Sequence, residues 1–409
     1  MYPLNLNNEM NVYILGAGAS KSYGESLSGQ KMPLATEVFS TFEKLNISQN
    51  PWVIIGDIVN YLHKTRNVPI ESVFKGDLDI EKIHSAIEYK MLTLIEKDQN
   101  CEHISSELLI LTKTYQQLVY FFSSIINEIQ NGPTSKAHRL FLKKINTDDT
   151  IITFNWDTLL DRALQEDTDW ETDFGYGFSP CGIYRDKWLL PQNSFKQSPK
   201  LIKLHGSTNW LTSPMYYDQE AKDFKLIQES PNDSVWIYEY ATKPYPAYAG
   251  RYMEGYAPFS MGYYPPNILS DKGKTAPKDR LIIRVRPKFP WIPESNYPSD
   301  GMPSTPLIIP PVKNKSYNFW GKLFKNLWEY AESDLSKAES IYVIGYSFPI
   351  TDIRAIDLLK KAFCKKTKYP NIIILNPNPV PVKNLFRERL GIPNKYIKII
   401  KDYFRGEII

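Results

Sequence analysis

Asn11-Val12-Tyr13-Ile14-Leu15 runs directly into Gly16-Ala17-Gly18-Ala19-Ser20. From Val12 to Leu15 the run is apolar or aromatic with no polar alternation, which predicts a strand covered on both faces. The glycines predict a tight turn from that strand into a helix. A Gly-x-Gly turn lets backbone approach a pyrophosphate, and the start of the following helix offers amide donors. The dinucleotide fingerprint wants a third glycine at position 21, where Lys21 stands. A tight turn that holds no ligand is therefore the competing reading of this loop.

The same pattern recurs along the chain. Apolar runs at 150–154, 201–204, 340–344 and 371–375 end in Asn155-Trp156-Asp157, His205-Gly206-Ser207, Gly345-Tyr346-Ser347 and Asn376-Pro377-Asn378, and 397–400 could be a last strand. Helical patterns lie between several of them, at 159–164, 317–333 and 352–361. Continuous apolar strands separated by helices predict an α/β fold, Rossmann-like, with a mostly parallel sheet and helices on both faces. Ligands in such sheets sit beyond the carboxyl ends of the strands. Those ends carry the small and polar residues here.

The second strand begins only at residue 150, whereas a minimal βαβ unit takes about 30 residues. The intervening chain has helical periodicity. Val38, Phe42 and Leu45 mark a first stretch, Asn50-Pro51 breaks it, and 52–63 resumes it. Ile80, Ile83, Ile87 and Leu92 share one face of a later helix, and Leu108, Leu109, Leu111, Tyr115, Leu118, Phe121, Phe122 and Ile125 share another. Asn131-Gly132-Pro133 stops it. This predicts a helical insertion over 31–145 in a core made of 8–30, 146–215 and 305–409, with Leu307-Ile308-Ile309 as a short strand. A second insertion, 214–305, is rich in Tyr, Pro and Gly.

Composition removes several classes. With 49 Lys and Arg against 45 Asp and Glu the net charge is +4, too balanced for the broad basic field of a dedicated nucleic-acid binder. Cys101, Cys181 and Cys364 are far apart and form no CxxC pair, so neither a disulfide scaffold nor a four-cysteine zinc ribbon is expected, and a reducing cytoplasmic location is. No apolar run reaches the ~18 residues of a membrane helix, and no signal peptide is evident. Between Trp236 and Pro266 lie eight tyrosines with only Lys243 and Arg251 as basic partners. That stretch reads as a proline-stiffened loop packed on its own body or on another subunit, rather than as a base-stacking platform.

Among strand-end residues, Asn155 can position a water or a ribose hydroxyl without titrating. Asp157 can orient that group or stabilise positive charge, or simply cap the helix that follows. Thr153 precedes them at the strand end. His205 titrates near neutrality and can accept a proton, or it can bond a loop carbonyl. Glu81 and His84 have ExxH spacing, but no second such pair accompanies them, so no metal is expected. His63, His103 and His138 look like helix-surface or helix-end residues. HExxH, Walker and GxSxG motifs are absent from the sequence.

Taken together and in order, GAGAS, TFNWD, KLHGS, GYSF and ILNPN resemble the sirtuin superfamily. The resemblance implies NAD as substrate. It implies catalytic roles for Asn155, Asp157 and His205, and NAD contacts from Gly16, Ala17, Gly18, Ala19, Ser20, Thr153, Gly345, Ser347 and Asn376. The chain departs from sirtuin deacetylases in lacking their two CxxC pairs and the Phe-Arg pair after the glycine loop; Met32-Pro33-Leu34-Ala35-Thr36 lies at a comparable place. In Thr351-Asp352-Ile353-Arg354 after GYSF, and in the helical insertion between GAG and TFN, it is more similar to the sirtuin-like domains of bacterial antiviral defence, and by its length and lack of a sensor domain it resembles the sirtuin-like subunit of sirtuin–HerA systems. That implies hydrolysis of NAD to ADP-ribose and nicotinamide, a homo-oligomer, and a HerA-type hexameric ATPase as partner. Other readings are a regulatory subunit that senses NAD or ADP-ribose, a nuclease subunit of the same complex, and a protein deacylase.

Overall fold

The computed structural model describes residues 10–34, 36–45, 52–74, 78–98, 105–130, 132–178, 182–185, 187–189, 197–212, 215–218, 223–226, 236–240, 280–284, 305–309, 321–349, 352–364 and 368–407. The chain begins with β1 (Asn11–Leu15), a short helix α1 (Ala17–Ser20), and then α2 (Val38–Lys44), α3 (Trp52–Arg66), α4 (Ile80–Asp98), α5 (Ser106–Gln130) and α6 (Lys136–Leu142). Next come β2 (Thr150–Thr153), α7 (Leu159–Asp167), β3 (Gly182–Arg185), β4 (Lys187–Leu189), β5 (Lys200–Lys203) and β6 (Gly206–Thr212). Four strands follow: β7 (Met215–Asp218), β8 (Asp223–Leu226), β9 (Trp236–Tyr240) and β10 (Arg280–Arg284). The last part holds β11 (Thr305–Ile308), α8 (Gly321–Lys337), β12 (Ser340–Ile344), α9 (Ile353–Cys364), β13 (Asn371–Leu375), α10 (Val380–Asn384) and β14 (Ile397–Ile400).

The parallel sheet has six strands in the order β14-β13-β12-β1-β2-β5. Every neighbouring pair in it is parallel. Numbered by appearance within this sheet, that is the 3-2-1-4-5-6 order of a doubly wound Rossmann sheet, read from the β5 edge. Successive residues of a strand point to opposite faces, and Ile151 and Ile152 of β2 are both fully buried, as are Leu201 and Ile202 of β5. Both faces are therefore covered, as the unbroken apolar runs predict. The order reverses between β1 and β12. That switch point is where the crevice of such a fold opens.

The helices of the first insertion have a core of their own. Val38, Phe39 and Phe42 of α2, Ile55, Ile58 and Leu62 of α3, Ile83 and Ile87 of α4, and Leu118, Phe121 and Ile125 of α5 form one buried cluster. Phe121 is the hub, with ring centroids 5.0 Å from both Phe39 and Phe42. Each such residue contributes about 1.5–3 kcal/mol of transfer free energy before conformational entropy is set against it. Leu92 and Leu109 lie outside the described side chains, as Asn50-Pro51 and Asn131 lie outside the described residues. The cluster also takes in Leu159 of α7 and Ile308 of β11, so the insertion packs on the rest of the chain rather than standing apart.

The chain after His205 leaves the parallel sheet. Gly206, at φ +77°, makes the turn; a Cβ there would stand 1.9 Å from the Leu307 carbonyl oxygen. Only glycine fits. Gly206 and Ser207 then open β6, part of a second six-stranded sheet ordered β11-β6-β9-β10-β3-β4. Its pairs are antiparallel. Of the expected strand Leu307-Ile308-Ile309, Leu307 and Ile308 lie in β11, which pairs with β6 in this second sheet, and Ile309 follows it. The tyrosine-rich stretch beyond Tyr240, through Pro266, lies outside the described residues.

Candidate active site

Two glycine-bearing loops cross at the switch point. Gly16 N–H donates to the Ile344 carbonyl at 3.0 Å and Gly18 N–H to the Gly345 carbonyl at 2.9 Å. A Cβ at Gly18 would stand 2.8 Å from the Gly345 Cα, and Gly345 itself sits at φ +59° with its would-be Cβ 2.6 Å from the Ala19 nitrogen. The structural reason for these glycines is thus the close passage of one loop against the other. Ala19 N–H also bonds within the loop, to the Gly16 carbonyl. The amides of Gly16, Gly18 and Ala19 are engaged inside the fold. Of the five loop residues, Ala17 and Ser20 line the cavity described below.

From the end of β2 the chain turns at Asn155. Its backbone N–H donates to the Thr153 hydroxyl at 3.1 Å. Its side-chain Nδ2 donates to the Gly16 carbonyl at 2.8 Å and to Ser20 Oγ at 2.7 Å. Ser20 Oγ in turn donates to Asp157 Oδ2 at 2.5 Å. The other Asp157 oxygen accepts the Leu159 amide at 3.1 Å in the turn that opens α7. Beneath this turn, buried Lys203 donates to the Asp157 carbonyl at 2.6 Å and pairs with Asp161 at 3.0 Å. Tyr176 closes the network with a short hydroxyl bond to Asp161. Removing one partner of such a buried pair costs about 3–5 kcal/mol, which fixes the turn carrying Asn155 and Asp157.

His205 follows β5 and is 3% exposed. Its Nε2 lies 3.3 Å from Oδ2 of Asp352, a residue with no exposed surface. Tyr346 donates a short hydrogen bond to the same Asp352 oxygen. Phe154 meets the His205 ring edge-on at 4.9 Å and stacks on Tyr346 at 4.2 Å. The imidazole is thus held by a carboxylate on one side and by an aromatic pair on another.

These groups line one cavity of about 350 Å³, within the ~300–1,000 Å³ of small-molecule sites. Ala17, Ser20, Asn155, Asp157, His205, Gly345 and Ser347 meet there. Gly16, Gly18, Ala19, Thr153 and Asn376 do not line it. Gly16 and Thr153 act one step back by bonding Asn155, and Asn376 Oδ1 accepts the Asn378 amide at 2.8 Å in the turn after β13. The opposite wall comes from the helical insertion: Met32, Val38, Ile80, Phe122, Ile125 and Ile126. Trp156 joins the halves, with its ring 5.4 Å from Phe122 and its Nε1 donating to the Ile309 carbonyl. The lining carboxylates are Glu81, Asp157 and Asp352, and among the described residues no Lys or Arg side chain lines the cavity.

Sequence reasoning missed Asp352, Tyr346, Trp156 and the role of Glu81 as a wall residue. The ExxH pair does not converge. Glu81 faces the cavity, whereas His84 is fully buried with its ring 4.8 Å from Tyr115. Among the described residues no cluster of His, Cys, Asp and Glu could hold a metal ion, and no helix is long and apolar enough to cross a membrane. His63 is exposed near the end of α3, as expected. His138 lies at the start of α6 but is buried rather than on the surface, because Phe404 packs edge-on against its ring. His103 lies outside the described residues.

No protein-family model matches the chain, and no curated protein does. Solved structures do match. A Sir2 enzyme studied for mechanism and regulation is 11% identical, over 98% of this chain and 89% of that chain, with a TM-score of 0.34. A Sir2–p53 peptide–NAD+ complex is 12% identical, over 94% of each chain, with a TM-score of 0.30. Sir2Tm bound to a propionylated peptide is 12% identical, over 94% of each chain, with a TM-score of 0.32. The doubly wound order stands on the strand register alone.

Proposed function

We propose that this chain cleaves the N-glycosidic bond of NAD, releasing nicotinamide and ADP-ribose. The observation that carries the reading is the meeting of Asn155, Asp157, Ser20 and His205 in one cavity at the switch point of a doubly wound sheet. The motif resemblance supports NAD as the substrate, and the charge of the cavity supports the chemistry. A wall with three carboxylates and no described Lys or Arg side chain favours a cationic group. The nicotinamide ring of NAD is such a group, and in the oxocarbenium-like transition state of cleavage its positive charge passes to the sugar.

In this scheme Asn155 holds a water against the anomeric carbon. The carbon–nitrogen bond breaks with its electron pair going to the ring nitrogen, so nicotinamide leaves neutral and needs no general acid. The water oxygen bonds the carbon, and His205 takes the water proton and passes it to solvent. Asp157 stabilises the cationic sugar, and Ala17 and Ser20 hold the ribose side. The apolar wall from the insertion excludes bulk water around the labile bond. Asn155→Ala and His205→Ala should each lower nicotinamide release at least about 100-fold, the usual scale of lost acid–base or positioning groups, with the fold intact by circular dichroism. Full turnover by both variants would remove these assignments.

The wider setting follows the sequence resemblance: a homo-oligomeric effector of bacterial antiviral defence in the cytoplasm that depletes NAD, assembled with a HerA-type ATPase. A sensor of NAD or ADP-ribose would use the same cavity and bind without product. Calorimetry paired with a nicotinamide assay separates the two.

A further inference from the structure

We infer that Asp352 is a positioning residue acting through His205: its carboxylate fixes the orientation and tautomer of the imidazole, and the Tyr346 hydroxyl fixes the carboxylate. Three observations meet in this assignment. His205 Nε2 lies 3.3 Å from Asp352 Oδ2 with both side chains buried. Tyr346 donates to that same oxygen. Tyr346 is itself clamped by its stack on Phe154, and Phe154 also touches the His205 ring. The chain turns tightly as it leaves β12. Gly345 and Phe348 both have positive φ, +59° and +49°, which is rare for a bulky residue such as phenylalanine. The Asp352 amide then closes on the Pro349 carbonyl at 2.8 Å. A loop shaped this way brings a carboxylate from beside β12 to a histidine that follows β5, two strands beyond the neighbouring β1.

The chemical consequence is direct. A proton on Nε2 is favoured by the carboxylate 3.3 Å away, and a neutral imidazole protonated there takes up a further proton at its other ring nitrogen. When that proton arrives, the imidazolium is stabilised by the carboxylate already beside it, and no group has to move. The dyad rests on geometry for its existence and on the NAD hydrolase reading only for its reaction. A competing role exists, because Asp352 immediately precedes α9 and an aspartate there caps a helix.

Asp352→Asn separates the two roles, since asparagine caps a helix as well as aspartate does but carries no charge. Nicotinamide release and histidine NMR titration are read on the same full chain, the His205 resonance being the one that disappears in His205→Ala. The expected result is a kcat lower by about 10²- to 10⁴-fold with KM changed less than about threefold, and an unchanged melting temperature. The titration midpoint of His205 should fall and the acid limb of the pH–activity profile should move to lower pH. The other titratable groups lining the cavity are Asp157, Glu81 and Tyr346, and of these Tyr346 loses its carboxylate partner in the substitution, an effect that Tyr346→Phe reads separately. Tyr346→Phe should show a smaller change in the same direction. An unchanged midpoint overturns the assignment, and so does wild-type kcat in Asp352→Asn. Should Asp352→Asn melt below the assay temperature, Asp352→Ser keeps a capping oxygen and repeats both measurements; unfolding of both places the carboxylate in the structure only and also overturns it. If the wild-type chain releases no nicotinamide, the hydrolase reading fails while the NMR midpoint still decides the dyad.

Discussion

Ser20 has two side-chain partners in the site. Its hydroxyl accepts from Asn155 and donates to Asp157, so one oxygen sets the spacing of two groups assigned to the chemistry. Ser20→Ala leaves the half-buried Asn155 amide and the buried Asp157 carboxylate without that partner, at a cost of about 1–3 kcal/mol. Urea denaturation should show that loss. Nicotinamide release should fall by about tenfold or more, because Asn155 is no longer held on that side. Unchanged activity in Ser20→Ala would mean that Asn155 is positioned by the Gly16 carbonyl alone. The motif residues Ser20, Asn155, Asp157 and His205 were legible because each directly follows a readable strand or its turn. Asp352 was not, because nothing local marks a partner 147 positions away on a strand end separated by β1 and β2.

At the scale of elements, the crossing of the loops after β1 and β12 is the most sensitive contact. Gly18→Ala would place a Cβ against the Gly345 backbone, 2.8 Å from Cα and 2.9 Å from the carbonyl oxygen. Backbone cannot yield as a flexible side chain can, so a loss of about 1–3 kcal/mol is expected, read as a lower melting temperature. A neutral Gly18→Ala would mean that the loops separate freely. The packing of α4 on α5 gives an acid sensitivity. His84 is fully buried there, and burial pushes it down to about 3. In the unfolded chain it titrates near 6.5. Below 6.5 the unfolded chain takes up a proton that the folded chain refuses. The contribution of His84 is therefore complete above pH 6.5 and drains as pH falls toward 3, by up to about 1.4 kcal/mol per pH unit. His84→Phe should flatten the fall in stability between pH 7 and 5; an unchanged slope would assign that fall to other groups. His138, pushed down to about 4 by burial, adds a slope of the same sign.

Elements also divide by how readable they were. β1, β2, β5, β12 and β13 carry unbroken apolar cores because both sheet faces are covered. α4 and α5 carry a helical period because one face of each packs inward. The second sheet escaped notice for physical reasons. In β6 the residues Ser207, Thr208 and Asn209 are buried yet polar, satisfied in part by the Trp156 carbonyl and by one another. Buried polar residues erase the apolar signature by which a strand is recognised. The partners of β6, β9 and β11, come from distant parts of the chain, so pairing leaves no local trace either.

Over the whole molecule, the site exists because a helical insertion with its own core leans on the carboxyl edge of a doubly wound sheet. The sheet supplies the polar groups, and the insertion supplies the apolar wall. Near-balanced charge and an acidic cavity fit together. The protein as a whole carries no field for a polyanion, while the cavity favours a cation at the reacting end. The measurement that tests this most directly is nicotinamide and ADP-ribose release from NAD by the purified chain, alone and with a HerA-type ATPase. The account predicts both products in equal amounts in at least one arm, without any acyl-lysine peptide, and lost in Asn155→Ala and His205→Ala. No product in either arm, product only when an acyl-lysine peptide is added, or undiminished release by His205→Ala would contradict it.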